Sequence, residues 1–170
     1  MKNIVLIGMP SCGKSTVGVL LAKRLGMRFL DSDLVIQERE GRLLHEIIAA
    51  DGMARFLEIE NEICAALEVK DTVISTGGSV VYGKEAMAHL RESGTVIYLK
   101  ISYETLTRRL GDYVNRGVVL REGFTLADLY RERAALYEQY ADYTVDEEIC
   151  AGGLGETLEK AVEICQNLRT

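Results

Sequence analysis

Proline is nearly missing from this chain, with one residue against sixteen glycines in 170. That balance excludes collagen-like repeats and proline-rich disordered segments. No apolar run approaches the length of a membrane span. The opening Met1-Lys2-Asn3-Ile4 has no charged region, long apolar core or small-residue cleavage site of a secretory signal, so a cytoplasmic location is expected. The four cysteines, Cys12, Cys64, Cys150 and Cys165, form no C-x-x-C pair and have no histidine nearby. They are expected to be reduced thiols, not a disulfide frame or a zinc site. An excess of positive charge is lacking too. The formal net charge is −6, so the surface as a whole repels nucleic acid and anionic membranes, and neither is expected as a partner. Any phosphate ligand must find a local positive site. Repeats, low-complexity tracts and linkers are also absent, and one domain over residues 1–170 is expected, acting as a monomer.

What is present alternates between strand and helix from the first residues, the pattern of an α/β fold with a mostly parallel sheet. Ile4-Val5-Leu6-Ile7 reads as a strand buried on both faces. Val17, Leu20, Leu21 and Leu25 recur at helical spacing, and Gly26 is a helix stop. Phe29-Leu30 is a second strand ending at Asp31; Thr72–Ser75, Thr95–Leu99 and the shorter Tyr143–Val145 are three more. Phe56, Ile59, Ile63 and Leu67 mark a long amphipathic helix, and Leu158, Ala161, Val162 and Cys165 the buried stripe of the last one. The segment 111–123 is less regular, with three glycines and two arginines, Arg116 and Arg121. It is read as a lid, because a phosphate-transfer site needs something to exclude water.

Gly8-Met9-Pro10-Ser11-Cys12-Gly13-Lys14-Ser15 fits G-x-x-x-x-G-K-[ST] at every required position, between a buried strand and an amphipathic helix. Glycines let the backbone curl so that successive amides point at phosphate oxygens, and the following helix adds its positive end. Lys14 can reach the β- and γ-phosphates, and Ser15 offers a hydroxyl to Mg²⁺. Cys12 lies in this loop beside Lys14, where a lowered thiol pKa is one reading; a small packing residue is the preferred one. Asp31-Ser32-Asp33 follows at the end of the second strand, the ligand-binding edge of an open parallel sheet. In extended chain the two carboxylates share a face. One can act through Mg²⁺ and its waters, the other can hold or deprotonate an acceptor hydroxyl. Helix capping is the competing reading of the same three residues.

Together these residues resemble the shikimate kinase family of P-loop kinases. The likeness spans almost the whole chain, through G-M-P-S-C-G-K-S-T-V-G, D-S-D-L, D-G-x-x-x-F-x-x-x-E, S-T-G-G, an arginine-bearing lid and R-x-x-L-Y-x-x-x-A-D. The resemblance implies a three-layer α/β/α fold with a five-stranded parallel sheet. It implies ATP with Mg²⁺, and transfer of the γ-phosphoryl group to the 3-hydroxyl of shikimate. Gly8, Ser11, Cys12, Gly13, Lys14, Ser15 and Thr16 would bind nucleotide, with Ser15 and Asp31 at the metal. Asp33 matches the acid on the acceptor hydroxyls, and Gly77 and Gly78 the glycines that approach the substrate. Arg116 matches the lid arginine on the transferring phosphate, Arg133 one that binds the acceptor carboxylate, and Arg109 the one near adenine. Arg133 has a second argument. It falls on the stripe of Leu126, Leu129, Tyr130 and Tyr137 on a helix from Leu126 to Tyr140, and a charge there must be paired or face a cavity.

The departures gather on the acceptor side. Leu57 stands where the family has a second carboxylate-binding arginine, Met53 where it has glutamate, Ser79 where it has a third glycine, and Gly117 where it has the lid proline. Arg55 cannot substitute for an arginine at 57, since two helical residues differ by about 200°. Losing one arm of an arginine clamp costs on the order of 1.5–3 kcal/mol. Two further readings therefore stand beside shikimate. One is a kinase of another small hydroxylated acid or amino acid, such as homoserine, whose ammonium would lie near Glu58 or Glu60. The other is a nucleotide-dependent regulatory protein that phosphorylates nothing.

Overall fold

The computed structural model describes residues 2–111, 118, 120–150 and 152–168. In chain order the elements are β1 (Asn3–Ile7), α1 (Lys14–Leu25), β2 (Arg28–Asp31), α2 (Ser32–Glu40), α3 (Leu44–Ala65), β3 (Thr72–Ser75), α4 (Lys84–Ser93), β4 (Gly94–Lys100), α5 (Tyr103–Leu110), α6 (Leu126–Tyr140), β5 (Tyr143–Asp146) and α7 (Leu154–Asn167). The five strands form one parallel sheet in the order β2-β3-β1-β4-β5. All five strands expected from the sequence are present. The expected helix over Leu126–Tyr140 has those same bounds, and Gly26 ends α1 in the left-handed conformation.

The sheet is fully covered at its centre. Every residue of β1 is buried, as β-branched runs in a two-faced sheet require. The chain runs outward from β1 to β2 on one side and from β3 to β4 on the other. Right-handed crossovers then put their helices on opposite faces. Accordingly α1 packs with α7 on one face, while α3 packs on α4 on the other, joined through the 3₁₀ turn Val80–Tyr82 to α6. Beside the main core lies a second apolar cluster of Ile36, Ile47, Phe56, Ile59 and Ile63, with Met53 and Leu57 against it. It exists because α3 is kinked at Gly52 (φ 84°), which folds its first turns back over α2.

The topology reverses direction at β1, so the crevice above the carboxyl ends of β1, β2 and β3 is where an open α/β sheet takes its ligand. Among the described residues no helix is long and apolar enough to cross a membrane.

Candidate active site

The loop from Gly8 to Gly13 leaves β1 and wraps into α1. Its turn is closed by the Cys12 amide on the Met9 carbonyl at 3.2 Å, and Ser11 and Gly13 take positive φ. A Cβ at Gly8 would sit 2.6 Å from the Leu99 carbonyl oxygen, so the loop can lie this close to β4 only with glycine there. α1 begins with no side-chain cap and no acid in its first turn. Its first amides therefore await a partner from outside the helix, the arrangement that binds phosphate. Lys14 is buried, and its Nζ donates to the carbonyls of Gly8 and Met9, each at 2.8 Å, and lies 3.7 Å from Cys12 Sγ. This places an ammonium inside the bowl of the loop. Cys12 is a packing residue: burial pushes its thiol pKa up, outweighing the attraction of Lys14. The lowered-pKa reading is thereby overturned. Thr16 stands exposed on the first turn of α1.

Three elements meet beside the loop. Ser15 Oγ donates to Asp31 Oδ2 at 2.8 Å and lies 3.2 Å from Ser75 Oγ at the end of β3. Asp31 Oδ1 accepts from the Asp33 amide at 3.0 Å and caps α2. The capping reading of D-S-D holds for Asp31, which gives one carboxylate oxygen to the helix and the other to Ser15. The extended D-S-D with a shared face is corrected: Ser32 already begins α2, so Asp33 sits in the first helical turn.

Asp33 is part of a second group further along the crevice. Burial, and then the charge of Asp31, raise its pKa to about 6, with Lys14 opposing. Glu60 of α3 is 1% exposed; its Oε2 accepts from Ser79 Oγ at 2.6 Å, while Oε1 has no partner. Burial lifts its carboxyl to about 7, partly offset by Ser79. Gly77 separates the two acids. A Cβ there would lie 2.6 Å from Glu60 Oε1 and 2.7 Å from Asp33 Oδ1. A Cβ on Gly78 would lie 3.1 Å from Arg133 Nη1. A side chain at Gly77 would thus crowd both acids, while one at Gly78 would first meet Pro10 Cδ at 2.9 Å and then Arg133.

Arg133 is 7% exposed, and no carboxylate among the described residues lies within ion-pair distance of it. Its guanidinium carbon is 5.5 Å from the Tyr82 ring centroid, and its Nε has no partner. Of the two answers open to a charge on an apolar stripe, the cavity is the one found. That cavity, about 110 Å³, is lined by Met53, Leu57, Tyr82, Arg121, Phe124, Leu129, Glu132 and Arg133. Met53 and Leu57, two of the family departures, therefore share one wall. Arg55 is exposed on the other side of α3, pairing with Glu58 and Glu62, as the helical angle predicts. Glu58 faces solvent with it, so of the two acids named for an ammonium group only Glu60 lies in the crevice.

Arg109 braces the phosphate loop, with Nη1 on the Ser11 carbonyl at 3.2 Å and Nη2 on Glu147 at 3.0 Å. Arg116, Gly117 and most of the lid segment lie outside the described residues. Sequence reasoning gave no site role to Ser75, Tyr82, Glu132 and Glu147, and read Ser79 only as a departure from the family's third glycine. A serine that ends a strand and opens S-T-G-G was the signal for Ser75; the others owe their place to long-range packing.

Comparison with known proteins settles the family. The family model described as shikimate kinase matches residues 10–165. The chain belongs to the shikimate kinase family. A shikimate kinase of Thermodesulfovibrio yellowstonii is 37% identical over the full length of both chains. One of Mycobacterium avium is 43% identical over 150 residues, covering 84% of this chain and 82% of that one. Among solved structures, a shikimate kinase from Acinetobacter baumannii in complex with shikimate superposes with a TM-score of 0.84 at 31% identity, covering 99% of this chain and 93% of the other. Membership makes the chain an α/β P-loop kinase, a phosphotransferase acting on a hydroxyl group, and the sheet order and phosphate loop described above are that architecture.

Proposed function

We propose that this protein transfers the γ-phosphoryl group of ATP to a hydroxyl of shikimate. The observation that carries the reading is the juxtaposition along one sheet edge of a phosphate loop, a buried acid and a buried arginine that meets no carboxylate among the described residues. Lys14 and the first amides of α1 grip the triphosphate. Asp33 receives the acceptor hydroxyl, and Arg133 faces the acceptor's carboxylate. Gly77 and Gly78 give the acceptor room against the end of β3.

The residues fit Mg²⁺ in the manner Mg²⁺ prefers. Among the described residues no cluster of three histidine, cysteine or acidic side chains could hold a metal alone. Ser15 and Asp31, whose Oγ and Oδ2 lie 2.8 Å apart, would supply the one or two oxygen ligands that Mg²⁺ takes from protein beside phosphate and water. When bound, the ion would neutralise phosphate charge.

The protein's own work is positioning and charge. Lys14 offsets charge developing on the transferred group. Asp33, ionised, orients the attacking oxygen and takes its proton. Arg116 is proposed to meet the same group from the lid, and Arg109 to border the adenine. The test is an ADP-release assay with shikimate, homoserine, other hydroxy acids and water alone as acceptors. Shikimate is expected to give the highest kcat/KM. Faster turnover of another acceptor, or release no faster than with water, overturns the assignment.

A further inference from the structure

We infer that Arg121 is the second arm of the clamp for the acceptor's carboxylate, reaching from the rim of the cavity toward the same anion that Arg133 meets from its floor; this rests on the proposed acceptor. The charge of the cavity suits an anion. Among the described residues its wall carries two guanidinium groups and a single carboxylate, Glu132. Arg133 supplies the buried, unpartnered Nε. The opposite wall, Met53 and Leu57 from α3, is apolar and offers no polar contact. A carboxylate has two oxygens and about four lone-pair sites, more than one guanidinium edge satisfies. Among the described residues the remaining cation lining the space is Arg121.

Arg121 is aimed by local geometry. Arg121-Glu122-Gly123-Phe124 is a β-turn closed by the Phe124 amide on the Arg121 carbonyl at 2.9 Å, with Gly123 at φ 75° in the third position. Such a turn brings its first and fourth residues together, and the guanidinium stacks 4.0 Å above the Phe124 ring. Its Nη2 donates to Glu132 Oε2 at 2.8 Å. Glu132 holds its other oxygen on the Tyr82 hydroxyl at 2.7 Å, and Tyr82 is the ring under Arg133. The two arginines are therefore linked through one acid and one tyrosine. The Arg121 side chain is 61% exposed, so its pair with Glu132 contributes little and is readily exchanged for a ligand carboxylate. Glu132 keeps Tyr82 as partner when that happens.

Shikimate binding by calorimetry and steady-state kinetics test this on the intact protein. Arg121→Ala is expected to weaken shikimate binding and raise its KM about tenfold, the effect of one charge-assisted contact. The KM for ATP and the kcat should stay within about threefold. Glu132→Gln, which frees Arg121, should leave the shikimate KM unchanged or lower it. In a Leu57→Arg background, which puts a cation on the apolar wall, the penalty of Arg121→Ala should shrink. If Arg121→Ala binds shikimate as the unaltered protein does, or if Arg121→Ala and Glu132→Gln raise KM alike, Arg121 is only half of a surface ion pair and the inference falls alone. If the unaltered protein binds no shikimate, the acceptor assignment falls and takes this inference with it.

Discussion

An acid that must accept a hydroxyl proton has to be ionised, and Asp33 sits where ionisation is costly. Burial and the neighbouring Asp31 hold its pKa at about 6. The kcat/KM for shikimate should therefore fall about tenfold per pH unit below 6 and level off above it. Asp33→Asn should lower activity by about 10²–10⁴ and abolish that limb. A pH–rate profile checks both, and a limb centred near the ordinary carboxylate range would argue against Asp33. Glu60 makes the opposite demand on stability. Its carboxyl titrates near 7 in the fold against an ordinary 4.5, so the folded state binds this proton more tightly than the unfolded chain does. That contribution is fully present below 4.5 and is lost as pH rises through 7, at most about 3 kcal/mol. Glu60→Gln keeps an acceptor for Ser79 and carries no charge. It should be more stable than the parent at pH 8 and equal to it near pH 4, as read by denaturant titration.

At the scale of elements, the strand ends do the positioning. The turn after β3 threads Gly77 between the carboxylates of Asp33 on α2 and Glu60 on α3. Gly77→Ala must push both aside, since both lie within 2.7 Å of the added carbon. We expect a loss of about 1–3 kcal/mol in stability and a fall in kcat/KM for the acceptor, with the KM for ATP unchanged. Enzyme kinetics over both substrates would reveal an error if ATP were affected equally. The strands and α6 were legible in the sequence because their signals are local. Ile4–Ile7 is apolar throughout and mostly β-branched, and Leu126, Leu129, Tyr130 and Tyr137 recur along one stripe of α6. The phosphate loop was legible for the same reason. Glu60 was named beside Glu58, but its burial and its contact with Ser79 were not legible, because that contact is made with a residue 19 positions away. The arrangement of Arg121, Glu132 and Tyr82 draws on three separate segments, and no spacing rule encodes it. D-S-D misled for a physical reason: a good N-cap starts its helix at once, so the pair never lies extended.

Over the whole molecule the charge is −6, yet both proposed ligands are anions. Binding must therefore be local, and the fold keeps two cations apart for it: Lys14 in the loop after β1 and Arg133 on α6. They come from different elements and share no hydrogen-bond partner among the described residues, since Lys14 is held by loop carbonyls and Arg133 faces the cavity beside Tyr82. If each serves one ligand, their effects on ligand-induced stabilisation should separate. A ligand at 100 times its Kd adds about 2.7 kcal/mol to folding, and for a chain of this size about 2–4 °C of Tm accompanies each kcal/mol. Magnesium–ATP and shikimate should each raise Tm by several degrees. Lys14→Met, which keeps the buried stem, should lose the nucleotide shift and retain that of shikimate. Arg133→Met should do the reverse. Thermal denaturation with each ligand alone decides it. Loss of both shifts in either variant would mean that the two ends of the crevice act as one site, and that the division between phosphate loop and acceptor cavity drawn from these distances is wrong.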